Sequence, residues 1–403
     1  MRLSLGQSKS ILAILFLHLL STNLRAADLT RYDQELRRGH DAVYQLDFEG
    51  AEKIFQKLIE EHPQSPGAYT FLALTRWNQL LQAAGNWALD DYATPTPFAR
   101  KPSKPVEAPR QAFLETNQKA IEICDQALAS NGDDVRALYF KGVAFENLAS
   151  EAVAIRKEPW EAWAYGRIAT RLHKRVLELD PTLVDAKLSL GVAEFAKATG
   201  PWSLRWFTAL FFPGDKEHAL ASIREVGTRG RFRQNDAQVV LALLQAWKGD
   251  PQESVQVFNR LRAKYPTNYL LDINLAAIQL QNLDSPTQAL NTYQRLLAEI
   301  ESKSGNLKIG EIYYRMGLTY HRLREYQQAL NSLEKVIDSP TLEKETIPLS
   351  AYWIAQIHEE RGEPALAARW YRRMLDTAPT SDTLKKELLE ARQKAEKLAE
   401  SGG

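Results

Sequence analysis

The sequence predicts an all-α fold, a helical solenoid of about eight helix–turn–helix units. Small residues recur at two positions of a repeating pattern, the first and the second register. In four places twenty-two residues separate a second-register residue from the next first-register residue, as from Ala51 to Ala73 and from Ala120 to Gly142. A proline often stands twelve residues after the second register, as at Pro63. Small residues let two helices approach to about 8–10 Å, and a proline ends a helix.

All eight predicted units carry a small residue in both registers, and this repetition is the main support for a repeat architecture. The first register, predicted for the first helix of each unit, holds Gly39, Ala73, Gly142, Gly191, Ala242, Ala276, Gly317 and Ala355. The second register, predicted for the second helix, holds Ala51, Ala120, Ala169, Ala219, Ser254, Ala289, Ala329 and Ala367. A core-facing position four residues later holds Phe55, Cys124, His173, Ile223, Phe258, Tyr293, Leu333 and Tyr371.

One stretch shows the pattern most completely, because Gly317 and Tyr320 are followed by Ala329 and then by Pro340. This stretch resembles the tetratricopeptide (TPR) repeat, a 34-residue helix–turn–helix. The resemblance extends over residues 32 to about 380. It implies a TPR-type right-handed helical solenoid of about eight helix-turn-helix units.

Three consecutive units contain extra residues between their two helices, and equivalent loops of a solenoid lie along one edge. We expect these inserts in units 2–4 to cluster in space. The insert near Pro159 is expected to lengthen the second helix of unit 3 and to present Trp160 and Trp163. The predicted segments are 1–26 (signal peptide), 32–131 (units 1–2, with a Pro-rich insert at 84–110), 132–233 (units 3–4, with Trp-rich inserts), 234–380 (units 5–8) and 381–403 (capping helix and tail).

Residues 1–26 predict a secretory signal peptide. Arg2 and Lys9 precede an apolar run over residues 11–20, and Ala26 places a small residue at the cleavage position. Ten apolar residues are too few to span a bilayer, and an uncleaved anchor is the alternative interpretation. We therefore expect a protein of the periplasm or one that is secreted.

The charge and cysteine content exclude some classes of protein. Removing residues 1–26 takes away three of the 51 basic residues and none of the 50 acidic ones, which leaves a formal net charge of −2. A nucleic-acid binder would show a basic surface, so no nucleic-acid partner is predicted. Cys124 is the single cysteine, so the chain forms no internal disulfide and must be stabilised by packing.

The search for catalytic and metal-binding motifs predicts no enzyme, no cofactor and no metal site. The sequence lacks a Gly-rich phosphate loop, a nucleophile elbow and paired metal-ligand spacing. His173 and Cys124 fall at core-facing positions, where a hydrogen-bonded histidine and a small buried thiol are expected. Asp133 and Asp134 stand at a helix start, where capping explains them.

The TPR resemblance implies that the first helix of each unit lines a concave groove through its positions 5, 9 and 12. On this sequence those positions are mostly aliphatic and aromatic. A large apolar surface is seldom left bare, so it either binds an apolar segment, is covered from within, or packs between neighbouring helices. The partner-binding residues predicted on this basis are Leu188, Phe195, Val239, Leu243, Ile273, Leu280, Tyr314, Leu318 and Tyr352.

The most unusual stretch is the insert of unit 4, residues 200–214, which holds two tryptophans and three phenylalanines between two prolines. A helix over this stretch would be about 18 Å long, too short to cross a membrane. It could lie in a membrane surface beside the arginines that follow it, fold back over the groove as a lid, or serve as a buried spacer; the lid or spacer is favoured. Its candidate residues are Trp202, Trp206, Phe211 and Phe212, and the arginines are Arg224, Arg229, Arg231 and Arg233.

A second resemblance concerns residues 191–249, which are similar to a block in exported bacterial TPR proteins. Gly191, Trp202, Asp215 and Gly230 are among the residues that carry it. We therefore predict a non-enzymatic scaffold of the bacterial cell envelope that binds an apolar or amphipathic segment of an unidentified protein in its groove. The alternative prediction is a peripheral membrane-associated module that uses the insert at 200–214 and the adjacent arginines.

Overall fold

The computed structural model describes residues 30–84, 106–199, 214–302, 309–337, 346–377 and 384–401, and these residues form helices joined by turns. The helices of units 1–4 are α1 (30–44), α2 (Phe48–Glu61), α3 (Pro66–Ala84), α4 (Glu107–Ser130), α5 (Val135–Glu151), α6 (Pro159–Leu179), α7 (Lys187–Thr199) and α8 (Lys216–Arg229). Each unit therefore consists of two helices. The prediction of an all-α solenoid is confirmed in this part of the chain.

Units 5–8 continue the same order of paired helices. They comprise α9 (Gln234–Lys248), α10 (Pro251–Lys264), α11 (Tyr269–Gln281), α12 (Pro286–Ser302), α13 (Ile309–Arg322), α14 (Tyr326–Ile337), α15 (Thr346–Glu360) and α16 (Pro364–Thr377). A last helix, α17 (Lys385–Ser401), packs on α16 through Ala391 and Ala395. It lies where a capping helix was predicted.

The small residues of the first register let the second helix of each unit pack closely. A methyl group added at Gly39 would lie 2.5 Å from the ring of Phe55, and one added at Gly142 would lie 2.6 Å from His173 Nε2. At Gly317 the corresponding distance, to Leu333 Cγ, is 2.6 Å. In all three units the added methyl group would meet the core-facing residue that was predicted four positions after the second register. The packing rule read from the sequence is therefore the one that the structure uses.

Aspartate side chains begin several of the helices, as the sequence predicted for two of them. The carboxylate of Asp134 accepts a hydrogen bond from the backbone N–H of Ala137 at 2.9 Å. That of Asp215 accepts one from His218 N–H at 3.0 Å. Each such cap satisfies one of the N–H groups that a helix start leaves unpaired.

The extra residues of unit 3 form a π-helical turn, Ala152–Arg156, and an early start of α6. The turn is anchored by Glu151, which is buried and accepts hydrogen bonds from Arg110 Nε at 2.6 Å and from Arg156 Nε at 2.8 Å. The chain leaves the turn through Lys157 in the left-handed conformation, with a φ of 63°. The predicted lengthening of the second helix is therefore observed, and its start is held in place by a buried carboxylate.

The first helix of the chain also contacts units 5 and 6, which lie about two hundred residues away in sequence. Asn268 donates a hydrogen bond to the carbonyl oxygen of Tyr44 at 2.9 Å, and Thr267 donates one to that of Gln45 at 3.1 Å. The Tyr265 hydroxyl donates to the carboxylate of Asp41. The solenoid therefore closes on itself, and the repeat pattern did not predict this contact.

Candidate binding surface

We call the side of each unit that carries positions 5, 9 and 12 of its first helix the first-helix face. Nine residues of this face were predicted to bind a partner. The structure divides them into two groups according to burial: the buried residues lie in units 4, 6 and 8, and the half-buried residues all lie in units 5–7.

Four of the predicted groove residues are buried in the core and cannot line an open surface. Leu188 and Phe195 belong to the core shared by α7, α8 and α9. Ile273 packs in the core of unit 6, and Tyr352 packs against Tyr371 in unit 8. For these four the correction is physical: a position that faces the groove in an idealised repeat is covered when the neighbouring helix packs closely.

The other five predicted residues are half-buried, and all of them belong to units 5–8. They are Val239, Leu243, Leu280, Tyr314 and Leu318. Each of the four helix pairs except the last contributes at least one of them. Near the start of this series, Trp247 on α9 is 50% exposed and carries the ammonium of Lys248 over its ring at 5.4 Å. Units 5–7 therefore present a line of accessible apolar side chains.

The first-helix face becomes polar at unit 8. Gln356 donates hydrogen bonds to the Tyr352 hydroxyl at 2.8 Å and to a carboxylate oxygen of Glu390 at 3.2 Å. Glu359 pairs with Lys394 on the capping helix at 3.0 Å. The apolar line is thus bounded at one end by a network of hydrogen bonds and ion pairs, so a partner that lies along it would meet polar groups there.

The first-helix face of units 1–3 is filled by the chain itself. The segment that fills it is residues 230–236, which comprise the connection from α8 to α9 and the first three residues of α9, and we call it the plug. The buried carboxylate of Asp185 accepts hydrogen bonds from three successive backbone N–H groups of the plug, those of Arg231 at 2.7 Å and of Phe232 and Arg233 at 2.8 Å each. One carboxylate therefore fixes the path of the plug.

Phe232 is the apolar centre of the plug. Its ring lies 5.4 Å from that of Phe140, 5.8 Å from that of Tyr139 and 6.5 Å from that of Phe71, centroid to centroid. The guanidinium of Arg136 lies 5.7 Å from the centre of the Phe232 ring. These contacts join α3 and α5 to the plug, and they remove from solvent the aromatic residues that would otherwise line an open groove in units 2 and 3.

Arg233 is the charged centre of the plug. Its guanidinium pairs with Glu146 on α5 and, at 2.6 Å, with Asp236 on α9. Glu146 also lies 2.7 Å from Nε2 of the buried His173. Burial alone would raise the pKa of Glu146, but the Arg233 guanidinium and His173 beside it lower that pKa to about 2. The carboxylate is therefore held ionised inside the protein.

Asp236 connects this network to the first helix of the chain. It accepts a hydrogen bond from the Tyr44 hydroxyl at 2.7 Å and lies 3.1 Å from Nε2 of His40. Burial would raise the pKa of Asp236, yet His40 and Arg233 hold it well below its ordinary value. Burial and the neighbouring Asp236 raise the pKa of Tyr44 far above its ordinary value. The polar residues of units 1, 3 and 5 thus form one network around Arg233.

The four arginines that follow the insert of unit 4 do not form a free basic patch. Arg233 is in the network just described, and Arg231 pairs with the buried carboxylate of Asp33. The other two lie on α8: Arg224 pairs with Glu253 at 2.8 Å, and Arg229 pairs with Glu225 at 2.9 Å. Each guanidinium has an acidic partner within the chain, and contact of these arginines with anionic headgroups stays a prediction.

The residues predicted for a lid or membrane contact, Trp202, Trp206, Phe211 and Phe212, lie outside the described residues, as do most of the Pro-rich insert and the predicted signal peptide. No helix in the described part of the chain has the length and apolar character needed to cross a membrane. Within the same residues no cluster of three or more His, Cys, Asp or Glu side chains is placed to hold a metal ion.

Two further residues lie where the sequence predicted. Cys124 is fully buried, and burial raises the pKa of its thiol to about 12, so it stays protonated and behaves as a small apolar residue. His173 is buried beside Glu146. The residues of the plug were missed. The available signal was a histidine at position 9 of unit 1 and a glutamate at position 12 of unit 3, polar residues on an otherwise apolar stripe.

Comparison with known families finds the tetratricopeptide repeat at residues 42–65, 236–268 and 314–382. No curated protein matches the chain in sequence. Among solved structures, a TPR protein of Thermus thermophilus is 17% identical, covering 62% of this chain and 99% of its own, with a TM-score of 0.35. A TPR protein of Parabacteroides merdae is 13% identical, covering 90% and 98%, with a TM-score of 0.33. Yeast Tom70 is 12% identical, covering 93% and 96%, with a TM-score of 0.39.

Proposed function

From the premise that this chain is a tetratricopeptide repeat protein, we propose that it is a non-enzymatic scaffold that binds a protein partner on the first-helix face of units 5–7. Repeats of this kind support a role in protein interaction in general. The proposal adds the place of binding and the chemistry of the partner, which is an apolar or amphipathic segment.

The observation that carries the proposal is the contrast in burial between the two halves. In units 1–3 the plug covers the first-helix face. In units 5–7 the five side chains of the apolar line stay half-buried, at Val239, Leu243, Leu280, Tyr314 and Leu318. Removing their exposed apolar surface from water is favourable by about 25 cal/mol for each Å².

An amphipathic helix is the partner that fits this surface best. Helices bind in grooves through apolar residues spaced three and four positions apart, and side chains on successive solenoid helices supply a matching row of contacts. The polar residues of unit 8, among them Gln356 and Glu359, would face the polar end or flank of such a helix. We place this scaffold in the bacterial cell envelope because residues 1–26 have the features of a signal peptide.

The proposal can be tested by placing a photo-crosslinking amino acid at position 280 and irradiating the producing cells. We expect one dominant adduct, whose protein is then purified and its affinity measured by calorimetry. Leu243→Asp and Leu318→Asp should each weaken binding by about tenfold or more, because each puts a charge into an apolar contact. Leu366→Asp is the matched control, because Leu366 is 42% exposed on the second helix of unit 8.

The proposal fails if crosslinking at position 280 yields no dominant partner, or if Leu366→Asp weakens binding as much as the two variants of the apolar line. Fractionation of the producing cells tests the location separately. Recovery of the protein in the cytosol, with residues 1–26 retained, would contradict the envelope assignment and leave the binding surface to be judged by the crosslinking.

A further inference from the structure

A row of tryptophan and basic side chains runs along the outer face of α6, on the second helix of unit 3. The residues of this row are three or four positions apart, so they share one face of the helix, within an arc of about 100°. Trp160 is 83% exposed and Trp163 is 59% exposed. The opposite face of α6 is buried in the core. The row, which we call the α6 stripe, comprises Trp160, Trp163, Arg167, Arg171 and Lys174.

The α6 stripe is positively charged, and its basic residues are not neutralised by acidic neighbours among the residues that the structure describes. The Arg167 guanidinium lies over the ring of Trp163, 4.8 Å from its centre. Arg167, Arg171 and Lys174 form no ion pair with an acidic residue in the described part of the chain, and Arg171 and Lys174 are exposed. The basic residues of the plug and of α8, by contrast, all have acidic partners.

The acidic residues near the stripe are already paired. Glu158 and Glu161, which flank Trp160, are both bound by the guanidinium of Arg156. Farther along α6, Glu178 lies 3.0 Å from Arg175, whose other partner is Asp133. The stripe therefore offers two exposed indole rings at one end and, over the rest of its length, three cations that have no acidic partner in the described residues. Its length from Trp160 to Lys174 is about 21 Å.

We propose that the α6 stripe is a contact site for a membrane surface that carries anionic lipids. Indole rings favour the boundary between headgroups and acyl chains, and a basic face beside them attracts anionic headgroups. Trp160 projects from the surface of the protein, and a projecting ring enters a soft lipid surface without needing a preformed pocket. Charge complementarity selects anionic lipid over neutral lipid, because each cation near the surface contributes to binding.

This site is distinct from the one proposed for the protein partner. The α6 stripe lies on the second helix of unit 3, whereas the apolar line lies on the first helices of units 5–7. The α6 stripe is also separate from the insert at 200–214 and from the arginines that follow that insert. Membrane contact by the stripe requires neither of them. A scaffold with both sites would hold its partner at a membrane surface without a spanning segment.

The test is co-sedimentation with vesicles of phosphatidylcholine alone and of phosphatidylcholine with phosphatidylglycerol. The protein is produced from residue 27 onward, so that the apolar run at 11–20 does not itself enter the bilayer. We expect binding to the anionic vesicles only, falling as salt is raised. Three charge removals together, Arg167→Gln, Arg171→Gln and Lys174→Gln, should weaken binding about a hundredfold. Trp160→Ser with Trp163→Ser should weaken it about tenfold or more.

Matched controls separate this site from others. Lys386→Gln, Arg392→Gln and Lys397→Gln remove three exposed cations from α17, and Trp247→Ser removes an exposed indole from unit 5. Both control proteins should bind like the parent. All the substituted side chains are exposed, so the circular dichroism spectrum and melting temperature should be unchanged.

Four results would overturn the proposal. The first is absence of binding to anionic vesicles at low salt, and the second is equal loss of binding in the control proteins. The third is binding that depends on Trp202 and Trp206 and not on Trp160 and Trp163. The fourth is a soluble acidic protein that binds the α6 stripe in the absence of lipid and is released by the same charge removals, which would assign the stripe to a protein partner.

Discussion

The two halves of this solenoid use the same repeat to make two different surfaces. In units 1–3 the first-helix face is closed by the plug, with Phe232 among aromatic rings and Arg233 between two largely buried carboxylates. In units 5–7 the same positions carry apolar side chains that remain half-buried, such as Leu243 and Leu318. Among the described residues, the plug, which lies at one connection between repeats, accounts for this difference.

The comparison also separates two kinds of stabilisation. Each helical hairpin is held by local apolar packing, as where Phe55 fills the space left by Gly39. The closure made by the plug depends instead on ion pairs that are shielded from water. Such pairs are stabilising only while every charge keeps its partner. Contacts of α1 with residues about two hundred positions away join the first unit to units 5 and 6. The first half of the molecule should therefore unfold more cooperatively than the second half.

Among the changes that disrupt the plug, Arg233→Ala should have the largest effect on stability. The change leaves Glu146 and Asp236 buried without their cation, which should destabilise the protein by about 3–5 kcal/mol. The urea midpoint should fall, and hydrogen exchange should speed up in α1, α5 and α9 while that in α13–α16 stays close to the parent.

The control is Arg224→Ala, which removes an arginine whose partner, Glu253, lies at the surface. Its cost should be below about 1 kcal/mol. Equal losses in the two variants, or faster exchange spread evenly over the molecule, would contradict the claim that the plug closes the first half only.

An intermediate effect is expected from pH, because the folded pKa of Glu146 is lowered from the ordinary 4.5 to about 2. The stabilisation that this carboxylate gives is complete above pH 4.5 and is lost as the pH falls from 4.5 to about 2. It amounts to the order of 3 kcal/mol. Between pH 5 and 3 the protection factors for hydrogen exchange, which correct for the pH dependence of the intrinsic exchange rate, should fall first in units 1–3.

Glu146→Gln should lower stability at neutral pH and should flatten its dependence on pH in that window. Glu253→Gln changes a carboxylate in the outer ion pair with Arg224 and should leave the dependence as it is in the parent. A pH profile that Glu146→Gln does not alter would show that other carboxylates cause the loss.

The smallest effect is expected for Phe232→Leu, which keeps an apolar side chain of similar size. The loss of ring contacts with Phe140 and Tyr139 and of the Arg136 guanidinium over the ring should cost about 1 kcal/mol. The matched change is Phe258→Leu in the core of unit 5. Exchange should accelerate in α3 and α5 for the first variant and in α9–α11 for the second; the same pattern in both would mean that the plug and the unit cores are not separate.

Most of the helical architecture could be predicted because the repeat is local. The small residues of the two registers, and the residues that they face, lie within one hairpin, so Gly317 opposite Leu333 follows from spacing alone. The caps at Asp134 and Asp215 are likewise set by the residues next to them. The exposure of Trp160 and Trp163 followed from the predicted extension of α6.

The binding surface could be predicted only in part, because exposure depends on what the rest of the chain places over each position. Leu188 and Val239 both occupy position 5 of the first helix of their units, yet Leu188 is buried and Val239 is half-buried. The arginines at 224–233 have the composition of a basic patch. Arg229 pairs with Glu225 one turn away, but Arg224, Arg231 and Arg233 have acidic partners in other units. Nothing in local spacing identifies such partners.

The sequence by itself therefore determined the repeat, its register and the core of each helical hairpin, since these depend on contacts between residues close together in the chain. Only the tertiary structure decided that the solenoid closes through α1, that Arg233 is enclosed between Glu146 and Asp236, and that the apolar face stays accessible in units 5–7. The physical reason is range: hairpin packing is set within about forty residues, whereas the burial of a charge is set by partners that the superhelical path brings together.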